Sequence, residues 1–483
     1  MVLGTTSGAG KSWLTTALCR WYARQGLKVA PFKAQNMSNN ARVVASDNGL
    51  GEIGSAQYFQ ALAARAQPHV QMNPLLLKPE ADTRSQVVLL GEVNTELGRT
   101  PWRERSEKVW PAIAASLDAL MANNDVVVIE GAGSPAEINL MASDIVNLRV
   151  ARHANARCWL VSDIDRGGAF AHLYGTWALL PPADQNRIHG FVLNKFRGEA
   201  SLLAPAPEQL QALTGVPTVG VLPMWREHGL PEEDGVFDDL SIASGATTHT
   251  IAVVAYPRIS NLDEFQCLKN IPGVRLQWVR SPSQVQALQP HDWVILPGSK
   301  NTSGDLAWLR HQGLDAAVTA HAAKGGAVLG ICGGLQMLGE ALIDPHGVDG
   351  NAAGLGLLPL VTQFALHKKV QHTQAQFNQL KGPWSALSGV QVSGYEIHHG
   401  QTQMHAGMQA QGVDATEVMQ GLAWQNQSGN VLGCYVHGLF EEPKVVQALF
   451  GHQAPTLDTV MNGLADFLEQ HIPAETMRAL IAD

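Results

Sequence analysis

A phosphate-loop signature near the start of the chain limits what can be built around it. Gly4-Thr5-Thr6-Ser7-Gly8-Ala9-Gly10-Lys11-Ser12 ends in a Gly-Lys-Ser triplet. Backbone N–H groups of such a loop point at phosphate oxygens. The lysine offsets β/γ charge, and the serine hydroxyl can hold Mg²⁺. Apolar Leu14, Ala17, Leu18 and Trp21 follow at helical spacing, so the loop feeds a helix. A merely glycine-rich turn is the weaker alternative. Counted from Gly4, the loop is one residue longer than the common G-x-x-x-x-G-K-[ST] pattern. Only residues 1–3 precede it. Either the strand before it is very short or the true start lies upstream.

The following residues extend the same architecture. Residues 27–33 read as a strand that ends in Lys33-Ala34-Gln35-Asn36-Met37-Ser38-Asn39-Asn40. Open α/β sheets bind ligands at such strand ends, and a lysine with several amides suits substrate carboxylates and amides. A solvated loop is an equally good reading. Gly51-Glu52-Ile53-Gly54-Ser55-Ala56-Gln57 reads as the start of a helix. Residues 125–130 form an apolar strand closed by Glu130, where a phosphate-loop protein carries a Mg²⁺ ligand. Further strands fall at 158–161, 188–193 and 218–222, with helical segments between them. That alternation predicts an α/β fold with a doubly wound, mostly parallel sheet.

Residues 231–250 turn acidic and then Ser/Thr/Gly-rich, which reads as a linker. A second α/β pattern begins at 251–255 and continues through strands near 274–279 and 293–296. The last of these runs into Pro297-Gly298-Ser299-Lys300-Asn301-Thr302, whose exposed amides could stabilise an oxyanion. Next comes Gly330-Ile331-Cys332-Gly333-Gly334, a cysteine counterpart of the Gly-x-Ser-x-Gly nucleophile elbow. A helix N-terminus behind the sulfur favours thiolate. A cysteine nucleophile needs a base supplied from elsewhere in the fold. Val431-Leu432-Gly433-Cys434-Tyr435-Val436-His437 reads as a buried strand ending in that base. The stretch between reads as less regular. His398 and His399 are neighbours on an extended segment and point to opposite faces, which favours a structural or substrate-orienting role over a paired metal site.

Bulk properties narrow the function. The 483 residues amount to about three average domains, and two large α/β domains also fit. A net charge of -9 argues against nucleic acid as a partner. The five cysteines are scattered, with no C-x-x-C, which suits a reducing cytoplasm and speaks against disulfides or zinc. No apolar run of about 18 residues and no signal peptide is seen, so no membrane partner is expected.

With these segments together, the chain resembles the cobyric acid synthase family of cobalamin biosynthesis over nearly its whole length. The phosphate loop, Pro31-Phe32-Lys33-Ala34-Gln35-Asn36-Met37 and Gly51-Glu52-Ile53-Gly54 carry the resemblance. So do Met72-Asn73-Pro74-Leu75-Leu76-Leu77-Lys78-Pro79, Glu130-Gly131-Ala132-Gly133-Ser134-Pro135-Ala136-Glu137-Ile138-Asn139 and Asp163-Ile164-Asp165-Arg166-Gly167-Gly168. Asn194-Lys195-Phe196-Arg197-Gly198, Gly394-Tyr395-Glu396-Ile397-His398 and the Cys332 and His437 segments complete it. The resemblance implies an ATP-dependent amidoligase domain at 1–235, similar to dethiobiotin synthetase with its P-loop NTPase-like fold. A linker at 236–250, a flavodoxin-like class I glutamine amidotransferase domain at 251–445 and a helical C-terminal segment at 446–483 follow.

The implied reaction amidates the b, d, e and g carboxylates of adenosylcobyrinic acid a,c-diamide, using ATP, Mg²⁺ and L-glutamine. Cys332 and His437 are implied to be catalytic, with backbone amides of Gly298 and Gly333 as the oxyanion hole. Thr5, Thr6, Ser7, Gly8, Ala9, Gly10, Lys11, Ser12 and Asn194 would hold the nucleotide. Ser12, Glu130 and Glu52 would hold Mg²⁺, with Asp47 competing for the role of Glu52. Lys33, Gln35 and Asn36 would hold the corrinoid. Many class I amidotransferases place a glutamate two residues after the histidine. Here that residue is Leu439, so the orienter of His437 is left open, with Glu441 a weak candidate. The sibling cobyrinic acid a,c-diamide synthases differ at the Ala34-Gln35-Asn36-Met37 stretch and around 163–168. Partitioning or switch ATPases carry a second lysine early in the loop, where this chain has Thr5 and Thr6. A homo-oligomer is left open.

Overall fold

The computed structural model describes residues 1–81, 83–231, 247–452 and 456–482. The expected linker therefore lies mostly outside the described residues, and its last two residues already belong to the strand His249–Val254.

The first half is built on parallel strands. Val2–Gly4, Cys158–Asp163, Ile188–Phe196 and Thr218–Pro223 pair in that order. Val29–Phe32 pairs with Val126–Ile129, and a bridge between Val2 and Glu130 joins this pair to the others. The strands are short continuous apolar runs because helices cover both faces of the sheet. Their shared direction brings the phosphate loop, Glu130, Asp163 and Asn194 to one edge. In the first strand Val2, Leu3 and Gly4 pair with Trp159, Leu160 and Val161.

The helix Lys11–Arg24 buries Leu14, Ala17, Leu18 and Trp21, one face of a 3.6-residue repeat. That face meets the helix Leu457–His471, whose Met461, Leu464, Ala465 and Leu468 share its core. The end of the chain thus completes the half in which the chain begins. Ahead of the helix Ser55–Ala63, residues expected to be helical from 51 instead form the strand Gly49–Gly54, paired with Ala41–Ser46.

The second half holds a seven-stranded sheet. Val274–Val279, His249–Val254, Trp293–Leu296, Ala327–Ile331 and Val431–Cys434 are parallel, and Ala423–Gln425 and Thr416–Met419 add an antiparallel edge. The stretch expected to be irregular contains a long antiparallel hairpin, Leu360–Gln376 with Gln391–Met404. It reaches the first half, where Ile397 packs with Ala41, Leu76 and Val88. Among the described residues, no helix is long and apolar enough to cross a membrane.

Candidate active site

Cys332 leaves the strand Ala327–Ile331 at φ 51° and ψ −105° and begins the helix Gly333–Leu338. A positive φ is rare outside glycine and stores local strain where function fixes the backbone. The neighbouring glycines make this turn possible. A Cβ on Gly334 would lie 1.8 Å from the Leu296 carbonyl oxygen, and one on Gly330 would lie 2.7 Å from the backbone of Gly334. The Cys332 N–H donates to the Cys434 carbonyl at 2.8 Å, tying the elbow to the strand that precedes His437.

His437 is held from several sides. Its backbone N–H donates to the Tyr395 carbonyl at 2.9 Å, and its ring stacks on Tyr395 with centroids 5.3 Å apart. Nδ1 lies 3.1 Å from Oε1 of Glu264, whose Oε2 accepts the Gly438 N–H at 3.0 Å. The other side of the ring faces Cys332. Burial by itself would lower the imidazole, but the Glu264 carboxylate and Cys332 raise it to about 10. With Nδ1 committed to Glu264, Nε2 is the nitrogen left for the thiol.

Gly298 lies on a two-residue strand, Gly298–Ser299, paired with Ile259–Ser260. A Cβ on Gly298 would approach the His437 ring to 3.0 Å, and one on Gly333 would approach the Ser299 nitrogen to 2.7 Å. The structure therefore brings Gly298, Gly333, Cys332 and His437 together. Asp305 secures this strand by accepting the Ser299 hydroxyl at 2.6 Å and the Arg258 N–H at 3.0 Å. Burial pushes its carboxyl up to about 7 against those two bonds.

Glu264 escaped the sequence because it lies 173 residues from His437, with no spacing that links them. Its only local sign is an acid pair, Asp263-Glu264, after the Tyr256-Pro257-Arg258-Ile259-Ser260-Asn261 loop. Glu441, the weak candidate for orienting His437, is instead paired with Arg42.

The second site forms at the other sheet edge. The Ser12 hydroxyl donates to Glu130 Oε1 at 2.8 Å. Lys33 and Gln60 also donate to Glu130, at 2.8 and 2.5 Å. Burial would raise the Glu130 carboxyl, but Lys33, Gln60 and Ser12 hold it below its ordinary value. Lys11 folds over the loop, with Nζ 2.9 Å from the Thr6 carbonyl and 3.1 Å from that of Gly133. Gly10 sits at φ 95°, and a Cβ there would lie 2.0 Å from the Asn194 amide nitrogen. Asn194 braces the loop by donating to the Ala9 carbonyl at 3.0 Å, and Lys195 donates to that of Gly8 at 2.9 Å. Thr5 donates to the Ser162 hydroxyl at 3.1 Å, and Ser7 to Ala9 make a short 3-10 turn.

Not every expected residue joins this site. Glu52 is buried between Lys78 and Lys368, which take its two oxygens. The structure thus corrects Glu52 as a Mg²⁺ ligand: two lysines already compensate the acid. Asp47 is exposed beside His69, 3.5 Å away. Lys33 is turned toward Glu130, whereas Gln35 keeps a buried side-chain oxygen without a partner among the described residues and Asn36 is buried nearby on the strand Gln35–Met37. The oxygen-only pair Ser12 and Glu130 fits Mg²⁺, a hard cation. His398 bonds Glu396 at 3.0 Å and His399 the Ala365 carbonyl at 3.1 Å.

Comparison with known proteins follows the same division. Residues 1–232 match the model of the CobQ/CobB/MinD/ParA nucleotide binding domain, and residues 250–445 that of the CobB/CobQ-like glutamine amidotransferase domain. A cobyric acid synthase of Variovorax paradoxus (strain S110) is 74% identical over 100% of this chain and 99% of its own. One from Polaromonas naphthalenivorans (strain CJ2) is 72% identical over the same shares. Among solved structures, PurLQS from Thermotoga maritima is similar over 45% of this chain and 96% of its own, at 18% identity and a TM-score of 0.31.

Proposed function

We propose, because this chain belongs to the cobyric acid synthase family of glutamine-dependent amidoligases, that it converts carboxylates of a corrinoid to amides in cobalamin biosynthesis. The substrate is adenosylcobyrinic acid a,c-diamide, and its b, d, e and g carboxylates are the four that react. ATP drives the reaction, glutamine supplies the nitrogen, and the cytoplasm is where both are at hand. Residues 1–235 form the amide and residues 251–445 release the ammonia.

The glutaminase chemistry rests on three side chains. His437 takes the Cys332 proton, and the sulfur attacks the glutamine amide carbon. Backbone N–H groups around Gly298 and Gly333 meet the oxyanion. The carbon–nitrogen bond breaks as His437 returns its proton to the leaving nitrogen, so ammonia departs and a thioester remains. Water, deprotonated by His437, then releases glutamate and restores the thiol. Glu264 fixes the ring and stabilises its charged form throughout.

At the other site, a corrinoid carboxylate oxygen attacks the γ-phosphorus of ATP and ADP leaves. Lys11 offsets charge on the transferring phosphoryl group. Ser12 and Glu130 would hold Mg²⁺, which screens phosphate charge when bound. Ammonia attacks the acyl-phosphate carbon and phosphate departs, leaving the amide. Lys33, Gln35 and Asn36 would hold the corrinoid, Lys33 from its place beside Glu130.

The observation that carries this reading is Cys332 on a strained elbow facing His437, whose far nitrogen is held by Glu264. Mass spectrometry of the diamide with ATP, Mg²⁺ and glutamine tests it. Four successive carboxylate-to-amide steps are expected. They are lost in Cys332→Ser and restored by ammonia. No mass change on that substrate would overturn the reading.

A further inference from the structure

Arg42 belongs to the half that carries the phosphate loop, yet its guanidinium lies among residues of the other half. It sits on the strand Ala41–Ser46 and is 2% exposed. Nη1 and Nη2 donate to Oε2 and Oε1 of Glu441 at 2.8 and 2.5 Å. Nη2 also donates to Asp263. Asp263 immediately precedes Glu264, and Glu441 closes the short 3-10 turn Leu439–Glu441 just after His437. One guanidinium therefore ties together the two segments that carry Glu264 and His437.

The backbone nearby is joined in the same place. Asn40 Oδ1 accepts the Leu262 N–H at 3.0 Å. The Asn261 amide donates to the Ala41 carbonyl at 2.9 Å and to the Tyr395 hydroxyl at 2.5 Å. Asn261 itself is held at φ 55°, so the turn into Asp263 is set by these bonds. Arg42 also lies 5.1 Å from the centre of the Tyr395 ring, the ring that stacks on His437.

The chemistry explains why arginine stands there. Its planar fork can bind one carboxylate with two parallel bonds and still reach a second. Of three neighbouring carboxylates, Glu264 bonds the His437 imidazole, while Asp263 and Glu441 bond Arg42. The arginine engages two of them and leaves Glu264 alone on His437. Removing one partner of a buried ion pair is strongly destabilising, so loss of the arginine fork would loosen both segments it joins.

We propose that Arg42 is a positioning residue through which the phosphate-loop half holds Glu264, and hence His437, in the geometry that glutamine hydrolysis requires. The idea rests on the glutaminase reading above. Only residues 38–40 separate the strand Gln35–Met37, which carries Gln35 and Asn36, from the strand that carries Arg42, so the proposed corrinoid-binding residues and this brace share one stretch of backbone. Glutamine hydrolysis is thereby tied to the placement of residues 40–42 in the half that consumes ammonia.

The test uses the full chain and two nitrogen sources. Arg42→Lys keeps the charge but loses the fork. Asp263→Asn loosens the same contact from the opposite side and decides the matter alone if the first variant does not fold. Each is expected to lower kcat for glutamine-driven amidation about tenfold. KM for glutamine and the ammonia-driven rate should each stay within about twofold. An equal fall with both nitrogen sources, or unchanged kcat in both variants, would overturn the proposal. If the unaltered protein hydrolyses no glutamine, the glutaminase reading fails instead, and no variant is needed to see it.

Discussion

His437 stands between opposing influences, and their balance sets how the residue responds to pH. Burial works against its charged form, while Glu264 and Cys332 favour it and raise the imidazole to about 10 from 6.5. A group whose value is higher in the folded chain stabilises it fully below the unfolded value. That stabilisation fades as pH rises through the folded value. Glu264→Gln removes the main favourable influence. Its unfolding temperature should fall furthest below the unaltered protein's near pH 6 and approach it near pH 10, as a thermal melt series would show. Its glutaminase kcat should fall about 10- to 100-fold, with ammonia-driven amidation retained. The thiols of Cys19, Cys158, Cys267 and Cys434 are all pushed up by burial. Iodoacetamide should therefore modify Cys332 first, and peptide mapping should find the label there while glutamine-driven activity disappears. Cys332 and His437 were legible in the sequence because each is defined by the few residues around it. Glu264 was not, since only the folded sheet brings Asn261-Leu262-Asp263-Glu264 beside residue 437. Glu52 misled for a related reason. Its acid stands near a helix start, but the two lysines that claim it come from residues 78 and 368.

At the scale of elements, two turns are closed by glycine with no room to spare. The helix Gly333–Leu338 rests so tightly on the strand Trp293–Leu296 that Gly334→Ala would force a methyl into the Leu296 carbonyl. A destabilisation of about 3 kcal/mol is expected by denaturant unfolding, the upper end for overpacking. Gly10→Ala would meet both the positive φ and the Asn194 amide. Calorimetric titration should show ATP binding lost, while glutamine hydrolysis by the Cys332 site persists. Most strands were legible because apolar runs such as Val126-Val127-Val128-Ile129 can only be buried on both faces. The long hairpin was not. Leu360–Gln376 alternates buried and open residues only at its start, and its register shifts between Phe364 and Lys369. Beyond that point it carries Lys, His and Gln, because one side meets the polar surface of the other half. A strand stabilised by partners elsewhere in the chain has no periodicity of its own to read.

At the scale of the whole molecule, the helix Leu457–His471 follows the second half in sequence but packs in the first. Leu468 is fully buried there. Leu468→Ala should cost about 3 kcal/mol. Hydrogen exchange should then quicken in the helix Lys11–Arg24 and the strand Thr218–Pro223, and stay slow in Trp293–Leu296. The sequence marked this tail as helical but could not say where it lands, since an amphipathic helix shows that a face is buried and not against what. The same arrangement imposes an order on synthesis. A ribosome adds about 5 to 20 residues each second, and the strands of the first half emerge long before the helix that covers them. The core around Trp21 and Leu14 lacks the share of its cover that residues 457–472 supply until those are made, by which time every strand of the second sheet is already available. The newborn chain can thus assemble the second sheet before the core of the first half is sealed. For that interval the apolar side of Lys11–Arg24 that meets Leu457–His471 stays open to solvent.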